Sequence, residues 1–399
     1  MNISDDNFWL WVDRHIADDP VRLRLKYSHT AGDIDYNAAI TQIECRQRFG
    51  KKLAATLADI PRFYFPSKLA GEQSTSDRLA QFHASLVIAG NPIIDLTAGL
   101  GIDILHCSDV CSSAIAVERN PDTADALRHN AALKPASVNV VCDDCRHFVA
   151  GCGPSASATV FIDPARRTAD GSRVFALSAC EPDVTAMLPD IATICRRLVV
   201  KMSPMLDISH TIAALGGCSR IIALGNTTEC KELIAVKDFD AACSDTVIEA
   251  VTLSASGSSS FAYSAARADD GQCRLDMPCE GDYLYEPYPS LMKIGAPQLL
   301  AARFDLSSFH PNTRLFHSTD LHKDFPGDIF QIERIVDYAS KNIKRLKNDY
   351  PAISISARNF GITAEQLRRQ LGVRDGGDRR LFAITSSANR RTMLITHHA

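Results

Sequence analysis

The stretch Pro92-Ile-Ile-Asp-Leu-Thr-Ala-Gly-Leu-Gly-Ile-Asp103 restricts the fold of this chain more than any other. Ile93, Ile94 and Leu96 read as a buried strand, the glycines as a tight turn, and Ile104-Leu105 as the start of a helix. That is the first β-turn-α step of a doubly wound sheet, in which ligands bind across the carboxyl ends of the strands. Gly99 permits the sharp turn, and Gly101 is expected to let a ligand lie on the backbone. A dinucleotide turn needs a third glycine to bring helix and strand together. Ile104 stands in that place, so the dinucleotide fingerprint is incomplete.

The chain continues the alternation. Strands are predicted over 113–117, 138–141, 159–162, 198–201, 221–224 and 232–236. Helices are predicted over 121–133, 184–195 and 208–215, with Pro121 suited to a first helical turn. Ser74-Thr-Ser-Asp77 is a helix start, and that helix is predicted to reach Ala89. Glu72–Thr75 lie near the expected ligand, but capping is their simpler role. Residues 1–70 read as a helical cap, although Val21, Leu23 and Leu25 alternate with Arg22, Arg24 and Lys26 and fit strand as well as helix. Residues 71–278 hold the sheet, ending in a hairpin of 247–253 with 261–264. Residues 279–330 form a small unit rich in aromatics and proline. Residues 331–399 form a last domain, with a basic helix predicted over 332–346, another helix within 358–372 after Phe360-Gly-Ile-Thr363, and strands over 380–385 and 392–396.

No apolar run approaches the ~18–20 residues of a membrane span. The first residues, Met1-Asn-Ile-Ser-Asp-Asp6, lack a basic-then-apolar leader, which predicts a cytoplasmic protein. The 13 cysteines are irregularly spaced, and Cys142-x-x-Cys145 has no second pair at zinc spacing, so free thiols and no metal are expected. Neither a phosphate-binding P-loop nor a G-x-S-x-G nucleophile turn is present. Charge is uneven. Residues 331–399 carry thirteen Lys/Arg against six Asp/Glu, a surplus of seven, while the net charge of the whole chain is −4. Such a tail suits a polyanion such as RNA.

The turn Asp95-x-x-x-Gly99-x-Gly101 resembles motif I of the class I S-adenosylmethionine-dependent methyltransferases. The resemblance implies cofactor contacts from Asp95, Thr97, Gly99, Gly101 and Asp103. Asp95 has an alternative role in holding the turn, and Thr97 in capping it. Glu118, at the end of the second strand, can accept both ribose hydroxyl hydrogens. Asp144, after the third, fits the acid that binds the adenine amino group, with Asp143 as its neighbour and rival. Asp163-Pro164-Ala165-Arg166-Arg167 resembles motif IV of the amino-methyltransferases, with Asp163 and Pro164 as the catalytic pair. It departs from that motif at Ala165 and Arg166, where a proline and an aromatic are usual. The departure argues against an exocyclic-amine acceptor and leaves Arg166 and Arg167 as candidate grips on a substrate phosphate, or as ion-pair partners of Glu181 or Asp183.

Further stretches resemble a bacterial methyltransferase family with a THUMP-like C-terminal domain. They are Ile162–Arg167, Cys180-Glu-Pro-Asp183, Lys201-Met-Ser-Pro-Met-Leu-Asp207 and Glu229-Cys-Lys-Glu-Leu233. Tyr283–Pro287, His310–Thr313 and Asp324–Gly327 are similar to its ferredoxin-like unit. Arg358-Asn-Phe360 and Gly376-Gly-Asp378 are similar to its terminal domain. The resemblance implies an α/β, Rossmann-like class I sheet with a helical cap and small ferredoxin-like and THUMP-like α+β domains. It implies S-adenosyl-L-methionine as cofactor and RNA, a tRNA or rRNA base, as substrate. The competing readings are a methyltransferase of a small molecule or protein, an NAD-linked oxidoreductase, and a non-catalytic RNA-binding protein.

Overall fold

The computed structural model describes residues 5–27, 32–153, 158–166, 176–240, 245–268 and 270–399. The chain forms two compact units. One is Met1–Ile221 with Leu233–Ser244, the other Ile222–Glu232 with Asp245–Ala399.

The first unit opens with short helices: α1 (Asp6–Arg14), α2 (Pro20–Tyr27), α3 (Tyr36–Phe49), α4 (Ala54–Asp59), α5 (Lys68–Gln73) and α6 (Asp77–Ala84). The alternating Val21–Lys26 segment is therefore helical, with only Leu23 of α2 buried. Asp5, Asp35, Ser67 and Ser76 cap α1, α3, α5 and α6 by accepting backbone N–H bonds in the first turn. Phe8, Trp9, Val12, Ile40 and Ile43 bury against Ala126, so these helices share a core with the sheet's own helices. The helix predicted to reach Ala89 stops at Ala84.

The strands follow as β1 (Ile93–Asp95), β2 (Ala114–Val117), β3 (Val138–Val141), β4 (Thr159–Ile162) and β5 (Arg197–Met202). Between them lie α7 (Ile102–Cys107), α8 (Pro121–Ala132), α9 (Cys145–Gly151) and α10 (Val184–Ile194), and α11 (Ile208–Ala214) follows β5. The chain then passes through β6 (Arg220–Gly225) and returns as β7 (Cys230–Asp238). In this unit the strands lie in the order β3-β2-β1-β4-β5-β7. All neighbours are parallel except β7, which pairs antiparallel with β5, Lys201 opposite Ile234. β1 and β4 are buried along their whole length, as central parallel strands covered on both faces must be. The parallel register sets Ile162 beside Val200. The next residue on each strand, Asp163 and Lys201, therefore emerges at the same carboxyl edge.

In the second unit β8 (Val247–Ser254) and β9 (Gly257–Ser264) form the predicted hairpin. A separate mixed sheet contains β10 (Tyr283–Pro287), β11 (Phe316–Ser318), β12 (Gly327–Asp337), β13 (Ser354–Arg358), β14 (Arg380–Thr385) and β15 (Arg391–His398), in the order β11-β10-β12-β15-β14-β13. Helices α12 (Pro289–Ile294) and α13 (Pro297–Arg303) precede β11, while α14 (Ser340–Asp349) and α15 (Ala364–Leu371) lie between the later strands. The helix predicted over 332–346 is replaced by β12 up to Asp337 and α14 from Ser340. The segment 354–358 is a strand, and the helix predicted after Thr363 runs from Ala364 to Leu371. β12 crosses residue 330, where the sequence suggested a division, and pairs with β10 on one edge and β15 on the other. Phe330, Ile332, Phe382 and Leu394 bury together with Leu284 and Phe309.

Among the described residues no helix is long and apolar enough to cross a membrane. None of their His, Cys, Asp and Glu side chains gather in threes to hold a metal.

Candidate active site

β1 ends at Asp95, and the chain turns sharply before α7. Asp95 is buried and accepts the Thr97 N–H at 3.0 Å through Oδ1, so it ties the turn. Its burial drives the carboxyl well above the ordinary range, and the nearby Asp103 and Asp163 add to that. Thr97 Oγ1 accepts the Asp163 N–H at 2.7 Å, which links the turn to the end of β4.

The two glycines have different reasons. Both have positive φ, +53° at Gly99 and +85° at Gly101. A Cβ on Gly99 would meet only Thr97 O at 4.0 Å, so the space beside it is open. A Cβ on Gly101 would lie 2.1 Å from Leu127 Cδ1. Gly101 is there so that α7 can start against α8. Packing against Leu127 thus accounts for Gly101, while the space beside Gly99 is open.

A cavity of about 330 Å³ opens over this turn. Among the residues singled out in the sequence, Thr97, Gly99, Gly101, Asp103, Glu118 and Asp163 line it. Gln73, Ser74 and Thr75 line it too, while Ser76 is the residue that caps α6. Asp95, Asp144 and Pro164 are not among the lining residues. Arg167 lies outside the described residues. Arg166 is described as backbone, in a short ribbon opposite Cys180.

Glu118 receives the Gly99 N–H at 2.9 Å through Oε2 and the Asn120 N–H at 2.7 Å through Oε1. It holds the turn by its backbone and still faces the cavity. A carboxylate has about four acceptor positions, so further hydroxyl donors can be received. Asp144 caps α9 through the Arg146 N–H at 2.9 Å and takes the Arg146 guanidinium in a two-pronged pair. That pairing lowers its carboxyl to about 2. Asp143 accepts the Asp144 N–H and pairs with His147.

Beneath the cavity lies a polar cluster that the sequence did not announce. Asp103 Oδ1 is 2.7 Å from His83 Nδ1, and its Oδ2 accepts from Thr75 Oγ1 at 2.5 Å. Burial alone would raise the Asp103 carboxyl, but His83, Lys201 and Thr75 together hold it below the ordinary range. Lys201 Nζ donates to Asp163 Oδ2 at 2.7 Å and to Thr75 Oγ1 at 3.1 Å. The sequence signals for Lys201 were its place at the carboxyl end of a predicted apolar strand and at the head of the family-like stretch Lys201–Asp207.

In the second unit, eight of the thirteen cations of residues 331–399 are ion-paired. Arg334 and Arg345 share Asp349, and Arg358 and Arg380 share Glu286. Arg368 meets Asp375, Arg369 meets Glu365, Arg379 meets Glu333 and Asp378, and Arg390 meets Asp337. Arg380 also lies 4.9 Å from the Phe382 ring centre. Lys341, Lys344 and Lys347 are exposed along α14.

Residues 283–326 match a ferredoxin-like domain family, and residues 327–398 match a family described as THUMP domain-like. A putative methyltransferase from Porphyromonas gingivalis W83 superposes with a TM-score of 0.88 at 29% identity, over 98% of each chain. A putative methyltransferase from Streptococcus mutans in complex with SAH gives a TM-score of 0.30 at 9% identity, covering 40% of this chain and 94% of that one. A putative RNA methyltransferase from Pyrococcus horikoshii gives 0.25 at 17% identity, covering 39% and 74%. Scores this low fix no residue correspondence. No curated protein matches the chain. The chain thus joins a class I methyltransferase fold to ferredoxin-like and THUMP-like domains.

Proposed function

We propose that this chain transfers a methyl group from S-adenosylmethionine to RNA. The observation that carries the reading is the cavity at the carboxyl ends of β1, β2 and β4. There an open glycine turn, Glu118 and Asp163 face one space. The residues fit the cofactor in kind. The space beside Gly99 admits a ligand against the backbone, and Glu118 offers a carboxylate to a ribose. Asp103, held ionised, offers a negative partner for the amino-acid ammonium. An adenine amino group can reach Asp144 only if that side chain gives up Arg146. The cofactor, when bound, supplies an electrophilic methyl on a sulfonium.

The chain's own work is positioning, because in-line displacement rewards alignment above other contributions. Asp163 is fixed by its own N–H to Thr97 and stands at the cavity rim. Its carboxylate can accept an N–H or O–H of the methyl acceptor and so aim the acceptor's lone pair. Lys341, Lys344 and Lys347 on α14 supply the exposed positive charge that a phosphate backbone rewards.

The extensive ion pairing of the tail arginines supports a second reading, a methyltransferase of a small molecule or protein. One experiment separates the two. Cofactor binding is measured by titration calorimetry. Labelled methyl transfer is then followed from S-adenosylmethionine into total RNA, protein and small-molecule fractions. Label in RNA supports the first reading. Label confined to another fraction moves the function there, and absence of both binding and transfer rejects it.

A further inference from the structure

We infer that Lys201 is the positioning residue that aligns Asp163 for methyl transfer. The inference rests on the proposed reaction and adds to it a role for Lys201, the first residue of the family-like stretch Lys201–Asp207. The register makes the pair unavoidable, because β4 and β5 run parallel with Ile162 beside Val200. Lys201 Nζ lies 2.7 Å from Asp163 Oδ2, with 14% of the lysine side chain exposed against 41% of the aspartate. The cation is therefore underneath and the carboxylate above it, at the rim. A second bond, from Nζ to Thr75 Oγ1 at 3.1 Å, reaches another lining residue. Thr75 in turn donates to Asp103. One ammonium thus sets two residues of the cavity wall, one after β4 and one before α6.

The charge balance explains why a lysine is tolerated at this depth. Asp95, Asp103 and Asp163 converge on it, and the lysine's charge acts on both Asp95 and Asp103. His83 is a second basic group at this cluster, paired with Asp103. Removing Lys201 takes a positive charge from this acidic set, which leaves the buried Asp95 and Asp103 harder to ionise. In the reaction the acceptor's lone pair forms the new bond to the methyl carbon. The carbon–sulfur bond breaks, with its pair going to sulfur. The acceptor's proton leaves to the carboxylate or to water. Lys201 touches none of these atoms. It acts by holding the Asp163 carboxylate in one orientation.

The test compares methyl transfer and cofactor binding for the full chain and for Lys201→Met, Lys201→Arg, Asp163→Asn and the double variant Asp163→Asn/Lys201→Met. Lys201→Met is expected to lower kcat about 10²-fold, the scale of a misplaced reacting group. The cofactor Kd should weaken far less than kcat falls, because His83 and Thr75 still hold Asp103 when Lys201 is gone. Turnover should recover in Lys201→Arg, which keeps a cation beneath Asp163. In the Asp163→Asn background, which also removes the unpaired charge and so protects the fold, Lys201→Met should change kcat no further. Wild-type turnover in Lys201→Met, or an additive loss in the double variant, would overturn the inference. A wild-type chain that neither binds cofactor nor transfers methyl rejects the function itself, which is a separate outcome.

Discussion

Replacing Gly101 with alanine should destabilise the first unit by about 2–5 kcal/mol, and the sum has two parts. The residue sits at φ +85°, a left-handed conformation that costs a residue with a Cβ about 1–2 kcal/mol. The new carbon would also meet Leu127 Cδ1 at 2.1 Å, and Leu127 is fully buried on α8. Forcing an extra carbon into a packed core adds about 1–3 kcal/mol. The two parts can be separated. In a Leu127→Ala background the clash is gone, so Gly101→Ala should cost only the backbone part, about 1–2 kcal/mol. Both tryptophans of the chain, Trp9 and Trp11, lie in the first unit. Tryptophan fluorescence during urea unfolding therefore follows that unit alone. Gly99→Ala is the companion measurement. It should cost about 1–2 kcal/mol for the backbone, with no clash term, and should weaken cofactor binding instead. A Gly101→Ala penalty unchanged by Leu127→Ala would refute the packing argument. A penalty below about 1 kcal/mol would refute both parts.

Other expectations follow from the site. Glu118→Ala should weaken cofactor binding by about 1.5–3 kcal/mol, the range for hydrogen bonds to a charged group, as read by calorimetry. Asp144→Ala removes an N-cap and should cost about 1 kcal/mol of stability in the same urea assay. The Asp144 carboxyl is lowered to about 2 in the folded chain by Arg146, from an ordinary 3.8. Its stabilising contribution is therefore complete above about pH 4 and lost as pH falls towards 2, and Asp144→Asn should flatten that part of the acid-unfolding curve. If α14 holds RNA, changing Lys341, Lys344 and Lys347 together to alanine should reduce the slope of log affinity against log salt by about 2–3. An unchanged slope would remove α14 from the RNA surface. Point changes are the right tool here, because a chain cut near Phe330 would sever β12 within its sheet.

How far the sequence could be read depended on how local the information was. β3 and β4 have the bounds that alternation and turns predicted, and Pro121 opens α8 behind the Asn120 cap. Lys201 was not legible as a site residue, because its role depends on which strand lies beside β5 and in what register. Asp144 reads as a ligand acid in the sequence, and in the structure it caps α9 and pairs with Arg146, a role that acids after strands commonly take. β12 was misread as helix for a specific reason. A bulge between Ile332 and Arg334 breaks its period of two, and Ile332, Ile335 and Val336 then fall at helical spacing. The Val21–Leu25 alternation misled in the opposite direction, since α2 buries only one side chain.

That bulge also bears on how the second sheet is made. β12 finds its first neighbour, β10, already synthesised when it leaves the ribosome. Its other edge waits for β15, which comes only after α14, β13, α15 and β14. During that interval a long strand offers unsatisfied backbone groups to any other chain, the usual route to aggregation. The waiting edge is a poor template. The bulge interrupts its ladder, and Glu333 and Arg334 place charges at the interruption. The irregularity that hid β12 from a pattern reader thus also hides it from foreign strands until its own partner arrives.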